Sequence, residues 1–248
     1  MNKIIFYLLF LLVIVSSSCS EDNDSYNPDD NQSLDSLVNF TIFYTNDEHG
    51  WFEEVNEWNG AAGLMGLWKN VEGYDGSDNY LILSGGDMWT GAAASTWFEG
   101  ESMVEVMNAM EYDAAAIGNH EFDFKVDVLN QRLSEMNFPL LAANIREKAT
   151  GNIPSFAQPY IIKDIDGVQV GIIGLASTTT PYSTFPTNVV DYEFTDYADA
   201  INTYAPQVKS EGWAYRSSAR AAGGAATSSR TPSIAGCRRC GSWTPRPR

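Results

Sequence analysis

The sequence predicts an α/β fold, and three observations carry the prediction. Apolar runs of strand length alternate with segments of helical spacing across residues 40–177, the pattern of strands and helices packed in layers. Asp166-Gly167 stands between two strand-like runs in "YIIKDIDGVQVGII", which reads as a hairpin and adds an antiparallel element. Three of the runs end in short loops carrying Asp, His or Asn, and in open α/β sheets the carboxyl ends of the strands line the ligand crevice.

Taken in order, the chain starts with Lys3 ahead of an apolar run, Ile4 to Val15. A membrane span needs roughly 18 or more apolar residues, so residues 1–18 read as an export signal. "SSSCSEDND" follows, with small residues ahead of Cys19. It resembles the lipobox of bacterial lipoproteins, with Ser16 where Leu is usual. That resemblance implies a lipid on Cys19, anchorage to the outer membrane of a Gram-negative bacterium on its periplasmic or outer face, and no other membrane contact. Glu21, Asp22 and Asp24 resemble the signal that sends some such proteins to the cell surface. Residues 19–37 are rich in Asp, Asn and Ser and read as a disordered acidic tether.

Globular sequence begins near Val38. The strand-like runs are Phe40–Thr45, Tyr80–Ser84, Ala114–Ile117, Pro139–Asn144 and Val168–Ser177. "ESMVEVMNAM" puts Met103, Val106, Met107 and Met110 on one helical face, a core-packing stripe. Cys19 is the one cysteine ahead of Cys237 and Cys240, so the domain depends on an ordinary core and not on disulfides. "CRRC" lacks a second ligand pair and is not read as a zinc or redox site.

The net charge of −17 is unevenly spread. Residues 1–210 hold 8 Lys and Arg against 31 Asp and Glu, whereas residues 211–248 hold 7 Arg against Glu211 alone. An acidic body argues against nucleic acid as a partner. An anionic ligand would need positive charge from elsewhere, and a metal ion can supply it. Within residues 212–248 Ile234 is the one Val, Ile, Leu, Met or Phe, so no strand or amphipathic helix is drawn there. This basic, non-globular tail reads as translation out of frame after about Glu211.

The chemistry gathers at three strand ends. "FTIFYT" runs into "NDEHG", where Asp47 and His49 are two apart and would share a face of an extended chain. "YLILS" runs into "GGD", delivering Asp87, and "AAAI" runs into "GNHEFD", delivering Asn119, His120 and Asp123. The plain alternative for the last stretch is a strand turning at Gly118 into a helix capped by Asn119.

In order and spacing, "TNDEHG", "GGDMWTG" and "GNHEFDF" resemble the first three metal blocks of the calcineurin-like metallophosphoesterases. "MNAMEYDAAAIGNHEFDF" is similar to the bacterial secreted 5'-nucleotidase branch, and the resemblance runs from about Phe40 to Ser177. It implies a metallophosphoesterase-type αββα sandwich over residues 38–211, incomplete at its C-terminal side. It further implies two divalent metal ions (Zn, Mn, Mg, Ca or Fe), a nucleotide or other phosphate ester substrate, and a monomer. Asp47 and His49 match ligands of the first metal, Asp87 the carboxylate bridging both, and Asn119 a ligand of the second. His120 matches a catalytic imidazole and Asp123 its partner. Two such ions can clamp a phosphoryl group and lower the pKa of bound water from 15.7 to about 7. The family's later histidine ligands have no match, since His49 and His120 are the only two histidines. The expectation is therefore a metal-dependent phosphoric ester hydrolase of 5'-nucleotidase type, with this chain binding metal weakly and inactive. The alternatives are a non-catalytic surface binding module that keeps the fold, or a cyclic-nucleotide phosphodiesterase.

Overall fold

The structure, a computed structural model, describes residues 13–15, 38–54 and 60–222, with side-chain surroundings for 38–54 and 60–212. Cys19, most of the leader, the tether and residues 223–248 lie outside the described residues. Strand β1 (Val13–Val15) is followed by β2 (Thr41–Thr45), α1 (Gly60–Asn70), β3 (Tyr80–Ser84), α2 (Ala93–Trp97), α3 (Glu101–Ala109) and β4 (Ala114–Ala116). A 3-10 turn (His120–Phe122) leads into α4 (Lys125–Glu135), then β5 (Leu140–Leu141), β6 (Ile145–Glu147), β7 (Tyr160–Ile165) and β8 (Val168–Ile173). Helix α5 (Thr180–Ser183), a second 3-10 turn (Pro186–Asn188), β9 (Tyr192–Phe194) and α6 (Tyr197–Ala222) complete the order.

The main sheet runs β2-β3-β4-β5, parallel throughout, with Thr41 opposite Tyr80, Leu83 opposite Ala114 and Ala115 opposite Leu140. Strand β3 is buried on both faces, which is why it reads as a continuous apolar run and not as an alternation. A second sheet runs β1-β8-β7, all antiparallel. Asp166 and Gly167 turn its hairpin at φ 50° and 82°, the left-handed pair that a two-residue loop between right-twisted strands requires.

Period-two alternation sorts the side chains into layers. Ile82 and Ala115 face α3 and α4, where Met103, Met107, Phe122 and Leu129 bury against them. Leu81, Leu83, Ala114 and Leu141 face the other way, onto Ile165, Val170 and Ile172 of the second sheet. That sheet's outer side takes α6, with Val208 and Ala200 packed against Ile173. The result is helix, sheet, sheet, helix. Each fully buried Leu or Ile in these layers stabilises the fold by about 1.5–3 kcal/mol. Gly171 lets α6 approach closely, because a Cβ there would lie 2.1 Å from Val208 Cγ1.

Some expected elements differ. Strand β5 keeps Leu140 and Leu141 only, because the chain then turns to bridge the two sheets. Ala143 N–H donates to Gly174 O (2.7 Å), and the fully buried Asn144 accepts from Ala176 N–H (2.8 Å) while donating to Ala176 O (2.8 Å). No amphipathic helix is expected from Gly212 on, yet a helix runs through the first part of that segment. Helix α6 continues to Ala222, through "WAYRSSARAA", where Ala and Arg have high helix propensity. The antiparallel pair β6-β9, with Ile145 opposite Phe194, links segments far apart in sequence and has no local signal.

Candidate active site

The parallel arrangement of β2, β3 and β4 brings their carboxyl ends to one edge, and the three loops that follow are locked together by backbone. Asp47 N–H donates to Gly86 O (3.0 Å), His49 N–H to Asp87 O (2.9 Å) and Gly50 N–H to Met88 O (2.7 Å). The third loop presses in through two glycines. A Cβ on Gly86, at φ 92°, would lie 2.6 Å from Gly118 N, and one on Gly118 would lie 2.2 Å from Asp87 Oδ1.

Asp47, His49 and Asp87 all have left-handed backbone, with φ of 55°, 48° and 59°. The extended-chain argument for Asp47 and His49 is therefore corrected: a turn, not a strand, brings them together. Such strain costs of order 1–3 kcal/mol per residue and concentrates at functional sites. Here it aims side chains that the strand direction would not.

Asp47 Oδ1 lies 3.7 Å from His49 Nε2. The pairing raises the His49 imidazole to about 9 and lowers the Asp47 carboxyl. His49 Nδ1 stands 2.7 Å from Thr90 O and must donate to it, since a carbonyl only accepts; this leaves Nε2 as the lone-pair nitrogen of the neutral ring. Asp87, 2% exposed, accepts from His120 N–H through Oδ1 (2.9 Å), and burial pushes its carboxyl up. Asn119 precedes the 3-10 turn but makes no side-chain cap bond. Its Nδ2 donates instead to Ser183 O (3.0 Å), so the plain N-cap reading does not hold. His120 Nδ1 donates to Asp123 Oδ2 (2.7 Å), which raises the imidazole. For Asp123 burial opposes ionisation, but the bonds from His120 and Thr184 (2.8 Å to Oδ1) outweigh it and lower the carboxyl. The His49 and His120 rings meet edge to face, with centroids 4.9 Å apart.

Two carboxylates escaped the sequence reading. Glu48, 5% exposed, accepts from Ser84 Oγ (2.8 Å) and from Thr45 Oγ1, and burial raises it to about 7. Glu121, 0% exposed, accepts from Gly118 N–H (2.7 Å) and Asp87 N–H (2.9 Å) through Oε2 and from Met88 N–H (2.7 Å) through Oε1. Burial and then Asp87 raise it to about 8. Their one sequence signal is a Glu placed directly beside a candidate His in a strand-end loop.

The donor set suits a divalent ion. It has two carboxylates, an imidazole whose other nitrogen is fixed by a carbonyl, and an amide whose nitrogen is already given to Ser183 so that its oxygen can serve. A buried carboxylate such as Asp87 is well matched to direct cation coordination. Among the described residues, no group of three or more His, Cys, Asp or Glu is gathered so that it could hold a metal ion.

The fold and these loops place the chain in the calcineurin-like metallophosphoesterase superfamily. No family model matches. The chain is similar to a 5'-nucleotidase of Vibrio cholerae, 35% identical over 180 residues (71% of this chain, 32% of the relative), and to protein UshA of Escherichia coli, 38% identical over 170 residues (66% and 30%). Among solved structures it resembles a 5'-nucleotidase precursor of Thermus thermophilus with TM-score 0.59 and 25% identity, covering 70% of this chain and 35% of that one. Within the superfamily the chain belongs to the 5'-nucleotidase branch, and it spans about a third of the length of the curated relatives it matches. Membership implies divalent metal cofactors.

Proposed function

We propose that the chain is the first half of the catalytic centre of a metal-dependent phosphoric ester hydrolase that releases phosphate from nucleotides. Asp47, His49, Asp87 and Asn119 would hold two divalent ions, drawn from Zn, Mn, Mg, Ca or Fe. When bound, such ions activate water as a nucleophile and neutralise phosphoryl charge. What supports the reading is that Asp47 stands 3.7 Å from His49 while Asp87 accepts from the backbone of His120, whose ring is paired with Asp123, all at one sheet edge.

The chain's own residues do the rest. The Thr90 carbonyl fixes the His49 tautomer, so that Nε2 is presented. Asp123 holds the proton on His120 Nδ1 and favours the charged ring, whose Nε2–H can donate to a phosphoryl or leaving-group oxygen. The names of the curated relatives support a nucleotide as substrate. Export, a lipid on Cys19 and a monomeric state belong to the same proposal. Both histidines of the chain stand in this half-site.

The purified full chain, titrated calorimetrically with Mn2+, is expected to bind, with affinity lowered at least tenfold in Asp87→Asn, the size typical of a lost metal-site contact. Any phosphate release from AMP is expected to vanish in His120→Ala. Absence of binding by Mn2+, Zn2+ and Ca2+ alike, with an intact fold by circular dichroism, would refute the proposal and leave the binding module.

A further inference from the structure

We propose that Glu121 is a positioning residue that fastens the Asp87 loop to the Asn119–His120 loop and so sets the metal-site geometry; this rests on the functional reading above. Its carboxylate has no exposure. All three of its bonds go to backbone N–H groups, two in the Asp87 loop (Asp87 and Met88) and one at Gly118, just ahead of Asn119. Asp87 closes the circuit by accepting from His120 N–H at 2.9 Å. Each loop thus holds the other through a carboxylate on one side and amides on the other. The glycine contacts leave no slack between them: a Cβ on Gly118 would lie 2.6 Å from Asp87 N, and one on Gly86 2.7 Å from Ala116 O.

This arrangement differs from a common buried carboxylate because one acceptor group serves donors on two strands' loops. A neutral amide of the same shape cannot do so. In Glu121→Gln the oxygen can keep the two-donor side, facing Asp87 and Gly118, but the NH2 then faces Met88 N–H, donor against donor. The Asp87 loop loses its second tether while the volume is unchanged.

The test uses the full chain and Mn2+ as probe. Glu121→Gln is expected to stay folded by circular dichroism and to bind Mn2+ ten- to a hundredfold more weakly, the size typical of a lost partner behind a metal ligand. Amide exchange followed by NMR is expected to quicken at Met88, Asp87 and Gly118 and to stay unchanged in β8. Unchanged Mn2+ affinity in a folded variant overturns the proposal, because a purely structural role would lower the melting temperature and spare the affinity. Absence of binding of Mn2+, Zn2+ and Ca2+ alike by the unaltered chain overturns the functional reading and the proposal with it, so the two failures are distinguishable. Should the variant not fold, the unaltered chain decides. The amides of Asp87, Met88 and Gly118 are expected to exchange as one group and to slow together on adding Mn2+, and independent exchange of Gly118 overturns the proposal.

Discussion

Substituting Ala for Gly118 puts a methyl group where Asp87 already sits. The new Cβ would lie 2.2 Å from Asp87 Oδ1, 2.6 Å from Cγ and 2.6 Å from N. Ordinary contact begins near 3.4 Å, so the oxygen must retreat by about 1.2 Å. It cannot retreat freely. The Asp87 N–H is held by Glu121, its carbonyl accepts from His49 N–H, and rotating the carboxylate breaks the bond from His120 N–H. Overpacking a core costs about 1–3 kcal/mol. Losing a hydrogen bond to a charged group adds about 1.5–3 kcal/mol. Together these are roughly 2.5–6 kcal/mol, and at about 2–4 °C per kcal/mol for a domain of this size the melting temperature falls by at least roughly 5 °C. Because Asp87 is the proposed shared ligand, Mn2+ affinity is expected to drop at least about tenfold as well. Scanning calorimetry and Mn2+ titration of the full chain read both. A Gly118→Ala chain that melts within about 2 °C of the original and binds Mn2+ equally would refute the packing argument, since each kcal/mol should be visible.

Gly171→Ala drives a methyl into Val208 and is expected to destabilise by about 1–3 kcal/mol in urea, with Val208→Ala restoring at least half in the double variant. Leu129→Ala, at a fully buried site on α4, is expected to cost about 2–5 kcal/mol by the same measurement, and less would mean that the helix collapses onto the gap. In the metal-free chain His49 is expected to titrate near 9 by NMR, and Asp47→Asn to bring it down towards 6.5. Because the folded value is raised, the stabilisation from that pair is full below 6.5 and is lost as pH rises through 9, and Asp47→Asn flattens the profile in that window. Mn2+ affinity is expected to rise over the same window, because the ion displaces a proton from His49.

The layers and the three strand-end loops were legible because their signals are local. A run such as "YLILS" can only be buried, and "GGD" or "GNH" at its end can only turn. What the sequence hid was set by distant partners. The two-residue spacing of Asp47 and His49 suggested a shared strand face, yet both residues adopt left-handed backbone because the chain must cross to Gly86 and Asp87. Glu48 and Glu121 have no sequence signal beyond their places beside His49 and His120. They are buried because neighbouring loops point N–H and hydroxyl groups at them, which no spacing reveals. The β6-β9 pairing and the shortening of β5 share that origin, since Asn144 serves both sheets at once. Helix α6 passes Gly212 because propensity alone carries a helix onward from a packed start.

The left-handed backbone at positions 47, 49 and 87 sets two selection pressures against each other. Glycine and asparagine adopt that conformation more readily than histidine does. A library of this chain enriched only for folding would drift towards glycine and asparagine at these three positions, whereas one enriched for metal retention would keep Asp, His and Asp. Comparing the two enrichments would outline the site with no substrate in hand, from the places where evolution for durability and evolution for chemistry disagree.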